Sequence, residues 1–140
     1  MDQSQTRAAQ PTANTKPPSL LIVDDEMGVR ESLKMVFSKD YRLLEAESVD
    51  AAILHVQQQQ PEVVLLDILM PKVDGIEVLR QIKALRPNCE VIMLTGLNSL
   101  QLATRAMAFG AFDFVGKPFD VSDLRQKVSR ALDKSRQNLS

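Results

Sequence analysis

The sequence predicts an α/β fold, a doubly wound parallel sheet of five strands with helices on both faces. Three observations carry this. Five apolar runs of strand length alternate with five segments of helical period between Leu20 and Leu132, the alternation typical of parallel sheets. The runs "LLIV", "VVLL" and "VIML" are continuously apolar, as strands covered on both faces must be. No internal repeat or linker interrupts the pattern, and 140 residues suffice for one domain with a core but not for two ordinary ones.

The first strand is "LLIVD" (20–24), followed by "EMGVRESLKMVFSK", where Val29, Leu33, Val36 and Phe37 fall on one helical face. "YRLLEAE" (41–47) mixes polar residues into a weaker strand and suits a sheet edge. "SVDAAILHVQQQQ" has helical period, with Ser48 placed as its cap and the glutamine run 57–60 at its end. "EVVLLDI" (62–68) is the most apolar run and predicts a central strand. In "VDGIEVLRQIKALR", Val78, Leu79, Ile82 and Leu85 share a face, and Asp74 and Glu77 have capping-box spacing. "EVIMLT" (90–95) is the fourth strand. "NSLQLATRAMAFG" is a helix with Ala103 and Ala106 on its inner face and Gly110 as its stop. "AFDFVGK" (111–117) alternates and predicts the other edge strand. The last helix, "DVSDLRQKVSRALDKS", packs through Val121, Leu124, Val128, Ala131 and Leu132. Met35, Met70, Met93 and Met107 fit core filling, and Cys89 is a small semi-buried residue before a strand.

Composition narrows the class. With 44% hydrophobic and 25% charged residues the chain reads as a soluble globular protein. A net charge of −1 gives no general pull toward nucleic acid or anionic membranes. The opening "MDQSQTRAAQPTANTKPP" has no hydrophobic run, hence no signal peptide, and its polarity and prolines predict a disordered tail over 1–18. No stretch approaches a membrane span. A single cysteine cannot form an internal disulfide, which fits a reducing cytoplasm. The folded domain is expected over 19–136, with a short tail over 137–140.

The ends of the strands carry the chemistry. Why should the apolar run "LLIV" end in three consecutive acids, Asp24, Asp25 and Glu26? Adjacent carboxylates repel, and desolvation at a core's edge makes that worse, so something must compensate. In a parallel sheet all carboxyl ends lie on one rim, where ligands bind. "LLIVD" ends in Asp24, "VVLLD" in Asp67, "VIMLT" in Thr95 and "FDFVGK" in Lys117. One acid at a strand end would mean little, since strands often finish in polar residues. Four complementary tips together point to phosphoryl transfer to a carboxylate. Asp24, Asp25 and Asp67 offer hard oxygen ligands whose repulsion a divalent cation relieves, and Mg2+ suits such a site. Lys117 offers a compact positive charge for a phosphoryl group and Thr95 a hydroxyl donor. An aspartate can serve as covalent nucleophile.

The stretches "LLIVDDE", "VVLLDILMPKVDG", "VIMLTG" and "GAFDFVGKPF" resemble, in order and spacing, the receiver domains of two-component response regulators. The resemblance implies a CheY-like, flavodoxin-like sheet in order 2-1-3-4-5. It implies that Asp67 accepts phosphate from a sensor histidine kinase or phosphotransfer protein. Asp24, Asp25, Asp67 and the backbone carbonyl of Leu69 would bind Mg2+, and Thr95 and Lys117 would contact phosphoryl oxygens. Thr95 and Phe114 would form the switch, and the Lys117–Pro118 peptide would be cis. An output domain or a second receiver would read the surface made by the fourth helix, fifth strand and fifth helix. "AMAFGAFDFVGKPF" most resembles receivers of the nitrogen-regulation class.

Two other functions use similar parts. An aspartyl-nucleophile phosphatase typically places a second acid two residues after the nucleophile; here that residue is Leu69, and no general acid is in place. A degenerate receiver would act as a binding module without phosphorylation, against which the intact set of acids, Thr95 and Lys117 argues. No G-x-x-x-x-G-K-[ST] occurs, so a P-loop enzyme is not indicated. The lone His55, in the second helix, reads as a surface or half-buried residue with no catalytic part.

Overall fold

The computed structural model describes residues 17–137; the tail expected over 1–18 lies outside it except for Pro17 and Pro18. Five strands, β1 (Ser19–Val23), β2 (Arg42–Ala46), β3 (Val63–Asp67), β4 (Glu90–Thr95) and β5 (Asp113–Gly116), form one sheet in the order β2-β1-β3-β4-β5. Every pairing is parallel. The helices are α1 (Met27–Phe37), α2 (Val49–Gln59), α3 (Gly75–Leu85), α4 (Leu100–Ala108) and α5 (Val121–Gln137).

Successive strand residues point to opposite faces, and the core divides accordingly. Leu20, Ile22, Val63, Leu65, Ile92 and Leu94 pack against Leu33 and Phe37 of α1 and Leu124, Val128 and Ala131 of α5. Leu21, Val23, Val64, Leu66, Val91 and Met93 face α2, α3 and α4, through residues such as Val56, Leu79 and Ala103. The small Ala103 and Ala106, both fully buried, let α4 approach the sheet closely. The edge strands are the more exposed ones, as their mixed sequences require.

Local signals hold at the helix ends. The Ser48 hydroxyl accepts from the Ala51 N–H, and the Asp74 carboxylate accepts from the Ile76 and Glu77 N–H groups. Gly110 takes φ +104 after α4, a conformation that favours glycine. Pro18 is drawn into the sheet, its carbonyl accepting from the Arg42 N–H at 2.7 Å.

Five packing expectations are corrected. Met35 is 83% exposed, because it lies roughly 200° around α1 from Leu33, on the far side from the sheet. Met107 is exposed in the last turn of α4, so only Met70 and Met93 of the four named methionines fill the core. Leu85 and Val121 have the right angular position but are exposed, since each sits in a terminal turn that overhangs the sheet. Ser135 is buried instead, extending the α5 contact toward its end. Cys89 is fully rather than half buried, and burial pushes its thiol up to about 12.

Candidate functional site

Since β2 lies on one side of β1 and β3 on the other, the order in which strands are added reverses at β1, and the crevice opens above the carboxyl ends of β1 and β3. Asp24 follows the last residue of β1 and is wholly buried. Every polar part of it is held: its N–H donates to the Ala46 carbonyl at 3.1 Å, and its carbonyl accepts from Arg30 Nη1 at 2.8 Å. Its Oδ1 accepts from the Glu26 N–H at 2.9 Å, and its Oδ2 lies 3.2 Å from Lys117 Nζ. Asp67 ends β3 with Oδ1 accepting from the Leu69 N–H at 3.1 Å and Oδ2 3.7 Å from Lys117 Nζ. Carboxylate oxygens of Asp24, Asp25 and Asp67 come within 4.8 Å of one another.

These contacts set the electrostatics. Burial raises the Asp67 carboxyl above its ordinary value, and the charges of Asp24 and Asp25 add to this. The Leu69 N–H and the Lys117 ammonium pull the other way without cancelling it. Lys117 is seated by its own N–H, which donates to the Thr95 carbonyl at 2.8 Å, and the following Lys117–Pro118 peptide is cis. The three acids form the sole group of three or more metal-ligating side chains found among the described residues, and their donor set of hard oxygens fits a divalent cation. A cleft of about 280 Å³ beside them is lined by Asp25, Glu26, Asp67, Leu69, Pro71, Gly96 and Lys117. The side chain of Leu69 is exposed at this mouth.

Thr95 ends β4 and is buried, with its hydroxyl donating to the Gly96 carbonyl at 3.1 Å and hydrogen-bonded to the Ser99 hydroxyl. Phe114, on β5, is half buried against the core cluster on the α4 face, and Lys127 Nζ donates to its carbonyl at 2.9 Å. Asp24, Asp25, Asp67 and Lys117 thus meet in one place, with Thr95 at the neighbouring strand end and Phe114 further along β5. His55 is half buried and its Nε2 is 3.1 Å from the Glu45 carbonyl, away from the acids.

Three participants escaped the sequence reading. Arg30 is buried and binds the Asp24 carbonyl; Glu45, near the tip of β2, binds Arg30 Nε at 3.0 Å. Ser99 is buried, and its hydroxyl accepts from the Gly96 N–H at 2.9 Å. For Arg30 a signal existed: it lies three residues before Leu33 and seven before Phe37, so a charge sits in the apolar stripe of α1.

Comparison with known proteins agrees with this geometry. The family model for the response regulator receiver domain matches residues 20–129. Sporulation initiation phosphotransferase F of Bacillus subtilis is 36% identical over 114 residues, 81% of this chain and 92% of that protein. Regulatory protein AtoC of Escherichia coli is 38% identical over 81% of this chain but only 25% of its own length. The crystal structure of NtrX from Brucella abortus superposes with a TM-score of 0.81 at 30% identity, covering 87% of this chain and 28% of that one. The chain therefore spans nearly all of one relative and about a quarter of the others. It belongs to the response regulator receiver domain family of two-component signalling.

Proposed function

We propose that Asp67 is the phosphoacceptor, receiving a phosphoryl group from a phosphohistidine on a sensor kinase or phosphotransfer protein. The observation that carries this is the convergence of Asp67, two further carboxylates and Lys117 at one strand-end crevice. The Leu69 N–H fixes one Asp67 oxygen and leaves the carboxylate facing the cleft. An Asp67 oxygen attacks phosphorus, the P–N bond breaks, and its electron pair returns to the imidazole nitrogen, which takes up a proton. Lys117 lies within reach of the transferred oxygens, and Thr95 is one strand away to donate its hydroxyl once freed from Gly96 and Ser99. Asp24, Asp25, Asp67 and the Leu69 carbonyl would hold Mg2+, which supplies charge neutralisation for the phosphoryl oxygens. This is self-catalysed transfer in a signalling domain, and the kinase reading puts the chain in the cytoplasm.

A donor must approach beside the cleft. A groove of about 830 Å³ between α1 and the start of α5 shares Glu26 and Lys117 with it and is walled by Val29, Val36, Phe119 and Val121. We place the donor's docking face there, because a phosphohistidine partner seated in this groove lies next to Asp67. Release of Thr95 toward the phosphoryl group would free space for Phe114 to turn inward, altering the α4–β5–α5 surface read by an output domain or a second receiver. The test is mass measurement after incubation with acetyl phosphate and Mg2+. One phosphoryl mass on the wild type, absent in Asp67→Asn, supports the reading. Sustained turnover would favour the phosphatase, and no gain would favour a phosphorylation-independent binding module.

A further inference from the structure

The Arg30 side chain is only 10% exposed, yet it touches no carboxylate of the acid cluster. Its Nη1 donates to the backbone carbonyl of Asp24 at 2.8 Å, in a buried bond. Its other nitrogens face β2, with Nε 3.0 Å from Glu45 Oε1 and Nη2 3.8 Å from Glu47 Oε2. Glu45 is in turn held by Lys34 Nζ at 2.7 Å. A buried arginine spreads its planar fork over several acceptors at once, which a lysine cannot do.

The carbonyl it grips belongs to the peptide joining Asp24 to Asp25. On the other side of Asp24, the N–H is fixed to the Ala46 carbonyl at 3.1 Å. The backbone on both sides of Asp24 is thus pinned to β2, once directly and once through Arg30. The orientation of the Asp24–Asp25 peptide decides where the exposed Asp25 points its carboxylate. We infer that Arg30 is a positioning residue for the cation seat: by holding the Asp24 carbonyl against Glu45 and Glu47, it fixes the direction in which Asp25 presents its oxygen. It does so through the backbone, leaving the Asp24 side-chain oxygens out of its contacts.

This inference rests on the reading of the acids as a divalent-cation site, and the experiment separates the two. Mg2+ is titrated into wild type, Arg30→Met, Arg30→Lys, Glu45→Gln and Asp25→Ala, following the amide resonances of residues 24–26 and 67–69. Loss of a group that orients a metal ligand typically weakens metal binding about tenfold or more, which is the effect expected for Arg30→Met. Glu45→Gln should show a smaller loss in the same direction, and Arg30→Lys only partial recovery relative to Arg30→Met. Mn2+ broadening gives a signature that general loosening would not: the effect at Asp25 should weaken relative to Asp67. If Arg30→Met does not fold, the milder Arg30→Lys and Glu45→Gln decide. Lower melting temperature with unchanged Mg2+ affinity and unchanged broadening ratio overturns the positioning role. No Mg2+ binding by the wild type overturns the cation seat itself and this inference with it, whereas binding lost only in Asp25→Ala leaves the seat and removes Arg30.

Discussion

Replacing Asp67 by Asn should make the protein more stable while removing the proposed phosphoacceptor. The Asp67 carboxylate lies within 4.8 Å of the acids Asp24 and Asp25 and 3.7 Å from Lys117 Nζ. At an effective dielectric constant of about 20, each repulsion is worth roughly 3.5 kcal/mol and the attraction roughly 4.5 kcal/mol, with water screening the exposed Asp25 most. Burial adds to the repulsive side, since Asp67 is only 6% exposed. The Asp67→Asn side chain has nearly the same shape and can still accept from the Leu69 N–H. The net gain is then on the order of 1 kcal/mol, or about 3–5 °C in Tm for a domain of this size. The sign with pH follows from the raised carboxyl. The folded protein holds this proton more tightly than the unfolded chain, so wild-type stability is recovered as pH falls through the raised value toward 3.8. The advantage of Asp67→Asn should be full at neutral pH and shrink across that window. Thermal melts by circular dichroism, in chelator and in Mg2+, measure it; Mg2+ should raise the Tm of the wild type more than that of the variant. If Asp67→Asn melts at or below the wild type in chelator at neutral pH, the three acids are not in net repulsion and the case for a compensating cation fails.

Lys117→Met removes the ammonium shared by the Asp24 and Asp67 carboxylates, Asp24 wholly buried; urea unfolding should show a loss of about 2–4 kcal/mol, only partly rescued by adding Asp67→Asn, which leaves Asp24 without its cation. Gly75→Ala puts a Cβ 2.8 Å from the Ile68 carbonyl oxygen, a backbone atom next in the chain to Asp67, and should cost about 1–3 kcal/mol by the same measurement. Cys89, buried and with its thiol pushed up to about 12, should resist alkylation at neutral pH in the folded protein and react once urea unfolds it, as mass spectrometry would record.

The fold was legible because burial on both faces leaves continuous apolar runs, and β1, β3 and β4 have little else in them. The strand-tip residues were legible for a related reason: an acid at the end of "LLIV" or "VVLL" conflicts with its surroundings, and such conflicts mark sites. What the sequence withheld is of two kinds. Helical period gives an angle but not where a helix overhangs the sheet, so Leu85 and Val121 were misplaced at terminal turns. Long-range polar pairing was also hidden. Arg30 and Glu45 are fifteen residues apart on different elements, and nothing in "YRLLEAE" says that its acids turn toward α1. Ser99 was hidden because a loop serine ordinarily bonds water, and only the turn over 97–99 folds it back onto Thr95.

The two donors assigned to the phosphoryl group are both committed elsewhere in this structure. Lys117 pairs with Asp24 and Asp67, and the Thr95 hydroxyl is held by the Gly96 carbonyl and Ser99. On the proposed reading phosphorylation exchanges contacts instead of adding them, and the net free energy of such an exchange is a small difference between comparable terms. A small difference is what lets an equilibrium between two arrangements be shifted by a single group. The Ser99 hydroxyl is one weight in that balance, so Ser99→Ala should bias the unphosphorylated protein toward the released state of Thr95. The ring resonances of Phe114 should then move toward those of wild type treated with beryllofluoride. Asn98→Ala, an exposed change in the same turn, should leave them in place and so controls for loosening of the loop. If Ser99→Ala leaves the Phe114 ring where it is in the untreated wild type, Thr95 is held by its own Gly96 carbonyl bond, and Ser99 serves only the turn.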